Sequence, residues 1–158
     1  MLPEEVAKLI GKTGDTAILE VERGAIKKLA DAVGDSNPLY WDEEYARASR
    51  YGGIIAPPGF FGWPVRWTGN MPLLLPLRLE VMDIIAKAGY SRILDGGIEY
   101  EFFHPVYAGD ILASVPKVTS ITEREPKGSK MLFSVIEVTY INPNADIVAK
   151  ARQTLIHR

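Results

Sequence analysis

Lys130-Met131-Leu132-Phe133-Ser134-Val135-Ile136-Glu137-Val138-Thr139-Tyr140-Ile141 is rich in β-branched and aromatic residues, the side chains that suit a pleated, half-buried surface. It reads as a strand. Asn142-Pro143-Asn144-Ala145-Asp146 then supplies a turn, and residues 147–156 read as the strand that returns from it. On the other side, a charged loop at 123–129 with Pro126 and Gly128 leads back to a strand at 110–121, and 97–103 is strand-like before that. Three long consecutive strands with hairpin-like connections predict an antiparallel meander.

The first half of the chain reads differently. Residues 2–10 suit a short helix with Pro3 in its first turn and acids at its positive end, and 16–21 is a candidate strand. Ala25, Ile26, Leu29, Ala30 and Val33 recur at helical spacing, and Gly34 is a natural stop just beyond them. Asp42 can cap a further helix at 43–49, which Gly52-Gly53 ends. The run Pro58-Gly59-Phe60-Phe61-Gly62-Trp63 is apolar on every side, as a buried helix is, with Pro64 set to break or kink it. Leu77, Val81, Ile84, Ile85 and Ala88 form one stripe of a later helix that lines a pocket or covers a neighbour. A buried helix needs a sheet to wrap it, so the expected class is α+β, helices first and a curved antiparallel sheet after. With no internal repeat or low-complexity linker, residues 1–158 read as one domain.

Composition narrows the function. Eighteen basic and twenty acidic residues leave a formal charge of −2, which gives no field for a nucleic-acid backbone or an anionic membrane. Cysteine is absent and histidine occurs twice, which removes thiol nucleophiles and disfavours a metal site. The acidic start, Met1-Leu2-Pro3-Glu4-Glu5, is followed by no apolar h-region. The apolar stretch 71–88 is interrupted by Pro72, Pro76, Arg78, Glu80 and Asp83, so it does not read as a membrane span. A cytoplasmic location is the expectation.

Four segments carry a likeness to a known family. Gly34-Asp35-Ser36-Asn37-Pro38-Leu39-Tyr40-Trp41-Asp42 resembles the hydratase motif Gly-Asp-x-Asn-Pro-(Leu/Ile)-His-x-Asp of MaoC-like enoyl-CoA hydratases. Tyr51-Gly52-Gly53-Ile54-Ile55-Ala56-Pro57-Pro58, Leu94-Asp95-Gly96-Gly97-Ile98-Glu99-Tyr100-Glu101 and Pro105-Val106-Tyr107-Ala108-Gly109-Asp110 follow in the family's order. Together they look like its N-terminal, FAS1-like dehydratase branch. The resemblance implies a hotdog fold, a curved sheet around one central apolar helix, which would here be residues 58–67. It implies an acyl-CoA or acyl-carrier-protein thioester substrate, hydrated at a trans-2-enoyl bond or dehydrated from a 3-hydroxyacyl group. No cofactor or metal is expected. It further implies a hotdog partner subunit, either a second copy or a different chain with an intact Asp-x-Asn-Pro-x-His motif.

Hydration of an enoyl thioester needs a base for the attacking water and a donor for the thioester oxygen. By the resemblance, Asp35 matches the catalytic Asp, Asn37 the supporting Asn, and the Pro58-Gly59-Phe60 segment meets the substrate, where glycine lets a thioester approach the backbone. Tyr40 stands where the catalytic His is expected. A phenol has an ordinary pKa of ~10, so it is a poor base near neutrality but a competent hydrogen-bond donor. The resemblance implies that the branch commonly lacks the complete pair and that a partner supplies it.

Three readings remain: a supporting half of a dehydratase, a self-sufficient variant using Asp35 and Tyr40, and a non-catalytic acyl-CoA-binding or heteromer-completing subunit. A hotdog thioesterase is disfavoured because 60–67 contains no acid. Each candidate also has a structural role open to it. Asp35 and Asn37 follow a helix stop and precede Pro38, where turn bonds alone favour them, and Tyr40 and Trp41 suit a core or interface. His104 reads as a structural or surface residue, and His157 carries no argument. The CoA phosphates need cations, for which Arg66, Lys117, Arg124, Lys127 and Lys130 are candidates without an assignment.

Overall fold

A computed structural model describes residues 2–62, 74–125 and 128–158. The centre of the molecule is the stretch quoted first, strand β4 (Met131–Ile141), whose side chains alternate strictly between a buried and a half-buried face. Leu132, Ser134, Ile136, Val138 and Tyr140 point inward. β3 (Ile111–Arg124) and β5 (Ile147–His157) flank it antiparallel. β1 (Ala17–Glu20) adds to the far side of β3, and β2 (Ile93–Phe102) to the far side of β5, giving the order β1-β3-β4-β5-β2. The meander is as expected. The place of β2 beside the last strand is a long-range pairing that no local signal fixed.

Two irregularities have sequence causes. Pro116 lies inside β3, yet its carbonyl accepts the Gly14 N–H at 2.9 Å. Its main-chain groups therefore face away from β4, and the missing N–H removes no β3–β4 bond. In β2 the register shifts between Asp95 and Gly97. There Asp95 Oδ1 accepts the Gly97 N–H at 2.9 Å, Gly97 has φ +106°, and a Cβ on Gly96 would stand 2.8 Å from Thr154 Cγ2. Only the Gly96-Gly97 pair fits this bulge.

The helices lie over the inner face in two groups. α2 (Arg23–Ala32) buries Ala25, Ile26, Leu29 and Ala30 in a cluster with Tyr40, Phe60, Phe61, Leu112, Val138 and Tyr140. Val33, assigned to the same stripe on spacing, caps the helix instead and is 66% exposed. α4 (Leu74–Lys87) sets Leu77, Val81 and Ile85 against Val118, Ile121, Leu132 and Ile136, with Val6 and Leu9 from the N-terminal α1 (Glu4–Ala7) and the turn after it. The stripe read from sequence thus covers the chain's own sheet.

Of the run 58–67 expected as the central helix, the described part forms one 3-10 turn, Phe60–Gly62, and 63–67 lie outside the described residues. That turn is held down by aromatic packing. Phe61 lies 4.2 Å from the Tyr140 ring, centroid to centroid, and the Tyr140 hydroxyl donates to the Phe61 carbonyl at 3.2 Å.

Candidate active site

Asp35 is placed by the way α2 ends. Gly34, at φ +71°, takes the left-handed conformation that closes a helix, and its N–H donates to the Asp31 carbonyl at 3.1 Å. The Asp35 N–H reaches back to the Ala30 carbonyl at 2.8 Å. Two of the helix's last carbonyls, those of Ala30 and Asp31, are thereby satisfied, and the chain turns into the motif.

From there each polar group binds its neighbour. Asp35 Oδ1 accepts the Asn37 N–H at 3.0 Å, and Asn37 Oδ1 accepts the Leu39 N–H at 3.1 Å. The second bond caps a 3-10 turn, Pro38–Tyr40, with Pro38 at its first position. Trp41 Nε1 donates to the Asp35 carbonyl at 2.9 Å, and Asp42 then caps α3 (Glu43–Ala48) by accepting the Glu44 and Tyr45 N–H groups at 2.9 and 3.0 Å. The side chains of Asp35 and Asn37 thus both do turn work.

Tyr40 points inward and is 6% exposed. Its pKa is raised, first by burial, then by the negative charge of Asp35 and by Tyr51, against a smaller lowering from its hydrogen bond with the Asn37 side chain. The surroundings therefore move the phenol away from the range of a neutral-pH base. It stays protonated near neutrality. Sequence reasoning did not single out the neighbours behind it. Tyr51 receives a hydrogen bond from Arg50 Nη2 at 2.6 Å, and the same guanidinium sits 4.8 Å from the Tyr51 ring centroid. Only their place at the edge of the second motif hinted at them.

Asp35 opens onto a cleft of about 400 Å³ lined by Ala30, Asp31, Gly34, Asp35, Ser36, Pro38, Trp41 and Asp42. Its three carboxylates make it unfit for a phosphate. A second cleft, about 550 Å³, lies by Arg23, Glu43, Arg47 and the Gly52-Gly53 turn, and Arg23 pairs with Glu43 across it. Neither is lined by Pro58, Gly59 or Phe60. Pro58 is exposed, Gly59 has φ +86° with open space where a Cβ would be, and Phe60 is fully buried with its N–H donated to the Pro57 carbonyl at 3.1 Å. Asp35 and the 58–60 segment are therefore not gathered around either cleft.

The histidines stand apart from the motif. His104 is exposed. His157 is fully buried, with Nε2 2.8 Å from Ser134 Oγ, and among the described residues Nδ1 has no partner. Burial lowers its pKa, so it is neutral. Among the candidate cations, Lys130 lies 3.8 Å from Glu123 and the Arg124 guanidinium stacks 4.7 Å from the Phe133 ring centroid. Arg66 and Lys127 lie outside the described residues. Among the described residues no group of three His, Asp or Glu could hold a metal, and no helix is long and apolar enough to cross a membrane.

Sheet order, the inner helices and the Gly-Asp-x-Asn-Pro turn together define a hotdog-fold chain, and solved structures agree. A chain of the ChsH1-ChsH2 complex from Mycobacterium tuberculosis superposes with a TM-score of 0.81 at 19% identity, over 97% of this chain and 88% of that one. The MaoC-like dehydratase from Rhodospirillum rubrum gives 0.65 at 25% identity, over 94% and 91%. The sequence matches the FAS1-like dehydratase domain region over residues 8–151, and the chain belongs to that branch of the MaoC-like dehydratase family. Among curated relatives, a UPF0336 protein of Saccharopolyspora erythraea is 32% identical over 90% of this chain and 84% of its own length. A probable enoyl-CoA hydratase alpha subunit of Thermomonospora curvata is 29% identical over 83% of this chain, which spans 43% of that protein.

Proposed function

We propose that the chain is the supporting half of a 3-hydroxyacyl-thioester dehydratase, or enoyl-thioester hydratase, whose base is carried by a different hotdog subunit. One observation carries this: Tyr40 occupies the histidine position, is buried, and is held protonated beside Asp35. A group in that state cannot take a proton from water at neutral pH. Asp35 without an imidazole to share the water lacks half of the machinery. Family membership supports the reaction class, and the likeness to chains solved as the ChsH1-ChsH2 and HadBC complexes supports a partner of the same fold. The half-site then contributes shape: its apolar cluster, Tyr40 included, backs the acyl path.

A second reading is favoured by the Asp35–Asn37 and Asn37–Leu39 bonds, which account for both polar side chains without any chemistry. In it the chain only completes a heteromer. The test is hydration of crotonyl-CoA, and of longer and branched enoyl-CoAs, by the pure chain and by the chain with a MaoC-like partner carrying an intact Asp-x-Asn-Pro-x-His motif. Turnover only in the mixture is the expected result. Turnover by the pure chain, abolished by Asp35→Asn, would overturn the supporting role. A mixture no faster than the partner alone would favour the second reading.

A further inference from the structure

The helical clusters lie on the inner face of the sheet, and among the described residues no helix packs on its outer face. One end of that outer face is apolar. Leu19, Leu112 and Tyr140 turn toward the core, so their neighbours Ile18, Ala113 and Ile141 point out. The register joins Ile18 to Ala113, Ala113 to Ile141 and Ile141 to Ile147, a single row across β1, β3, β4 and β5. Ile18 is 67% exposed and Ile147 40%, with Ile111 at 53% on the rim. Val115, opposite Thr139, carries the patch one step further along the strands. Single surface isoleucines are ordinary, but a contiguous row of them on a sheet face marks a surface that meets another.

Beyond Val115 the face is charged. Lys117, Glu137, Arg152 and Glu99 stand side by side on β3, β4, β5 and β2, alternating in sign. Arg152 holds Glu137 through Nε at 2.6 Å and Glu99 through Nη1 at 3.0 Å. Lys117 is exposed, and among the described residues no carboxylate pairs with it.

This alternation decides what fits over the face. Two copies packed sheet on sheet are related by a two-fold axis lying between the sheets. An axis that follows a strand sets like charges over one another: along β4 it puts Lys117 of one copy over Arg152 of the other. An axis parallel to the strands but midway between two of them sets each charge over its opposite. Midway between β3 and β4, Lys117 of each copy meets Glu137 of the other, Ile18 meets Ile147, and Ala113 meets Ile141. The whole apolar row is then covered. Midway between β4 and β5, Ile18 is left outside the contact. Packed sheets stand about 10 Å apart, a gap that Lys and Glu side chains reach across.

We infer that the outer face of the sheet, from Ile18 to Ile147, is a contact between two copies of this chain, packed sheet on sheet about a two-fold axis that runs between β3 and β4. Tyr40 packs against the opposite, inner face. The contact therefore leaves the half-site free and holds whether or not a different chain completes it.

The test is sedimentation velocity of the pure full chain over a range of concentrations, where the wild type is expected to dimerise. Ile18→Lys puts a charge into the apolar row at a position the core does not use. Lys117→Glu sets a carboxylate against Glu137 of the other copy. Each is expected to weaken the dimer at least about tenfold, and Lys117→Arg to leave it unchanged. Thermal melts followed by circular dichroism separate these losses from unfolding, because Ile18→Lys should melt as the wild type does. A wild-type chain that stays monomeric at every concentration overturns the inference. A dimer indifferent to Ile18→Lys and Lys117→Glu overturns it too, since its contact then lies elsewhere on the molecule.

Discussion

The carboxylate of Asp35 lies close enough to the buried phenol of Tyr40 for its charge to help hold the phenolic proton in place. Where a MaoC-like site pairs an acid with an imidazole, this turn sets it near a buried phenol whose pKa is raised. On the supporting-half proposal, the exchange keeps the turn and removes the base.

The alkaline limit of the fold follows from this and from two further phenols. Tyr40, Tyr100 and Tyr140 are all raised above the ordinary value, burial being the leading cause in each. A raised folded-state pKa means the unfolded chain loses the proton first, so stability is intact below pH ~10 and falls as pH rises beyond it. Chemical denaturation between pH 8 and 11 should give a falling midpoint above pH ~10, and the fall should shrink in Tyr140→Phe. A midpoint flat to pH 11 would contradict the burial assigned to these phenols.

At the acid side His157 sets the slope. Its folded-state pKa lies below the ordinary 6.5, so the unfolded chain takes up the proton first and stability is lost as pH falls below ~6.5. Melting temperature should drop between pH 7 and pH 5.5, and His157→Gln should reduce that drop. An unchanged slope in the variant would assign the acid sensitivity to other groups.

Gly34→Ala tests the helix end that aims Asp35. No atom lies within 4 Å of the added Cβ, so the cost is the left-handed backbone alone, roughly 1 kcal/mol. Gly34→Asn should recover part of it, because asparagine tolerates that conformation. Denaturation midpoints for the pair decide it, and equal losses in both would mean that φ is not the cause.

Much of this was legible in the sequence because it is local. Gly34 as a helix stop, Asp42 as a cap and the β3-β4-β5 meander each depend on residues a few positions apart, and the structure places them as expected. Most of β2 was legible as the strand-like stretch 97–103, but its place and its start were not: its partner β5 is distant in sequence, and the Gly96-Gly97 bulge hides the strand's first residues behind a turn-like signal. Val33 fitted the helical spacing but fell on the cap, where burial ends. For Tyr40, the residue type was enough to mark the departure from the motif. Its inward direction and the sign of its pKa shift depended on its burial first, and then on Asp35 and Tyr51 being brought near it. His157 gave no sign of its buried contact with Ser134, because the two lie on neighbouring strands.

The most direct measurement is enoyl-CoA hydration by the heteromer after Asp35→Asn in this chain alone, set beside the same change at the partner's motif. A lost catalytic base costs about 10²–10⁴ in rate. If this chain is the supporting half, Asp35→Asn leaves the rate within about twofold of wild type and the partner's substitution loses at least ~100-fold. A comparable collapse from Asp35→Asn, with the heteromer intact, would place the working acid here and contradict the supporting role.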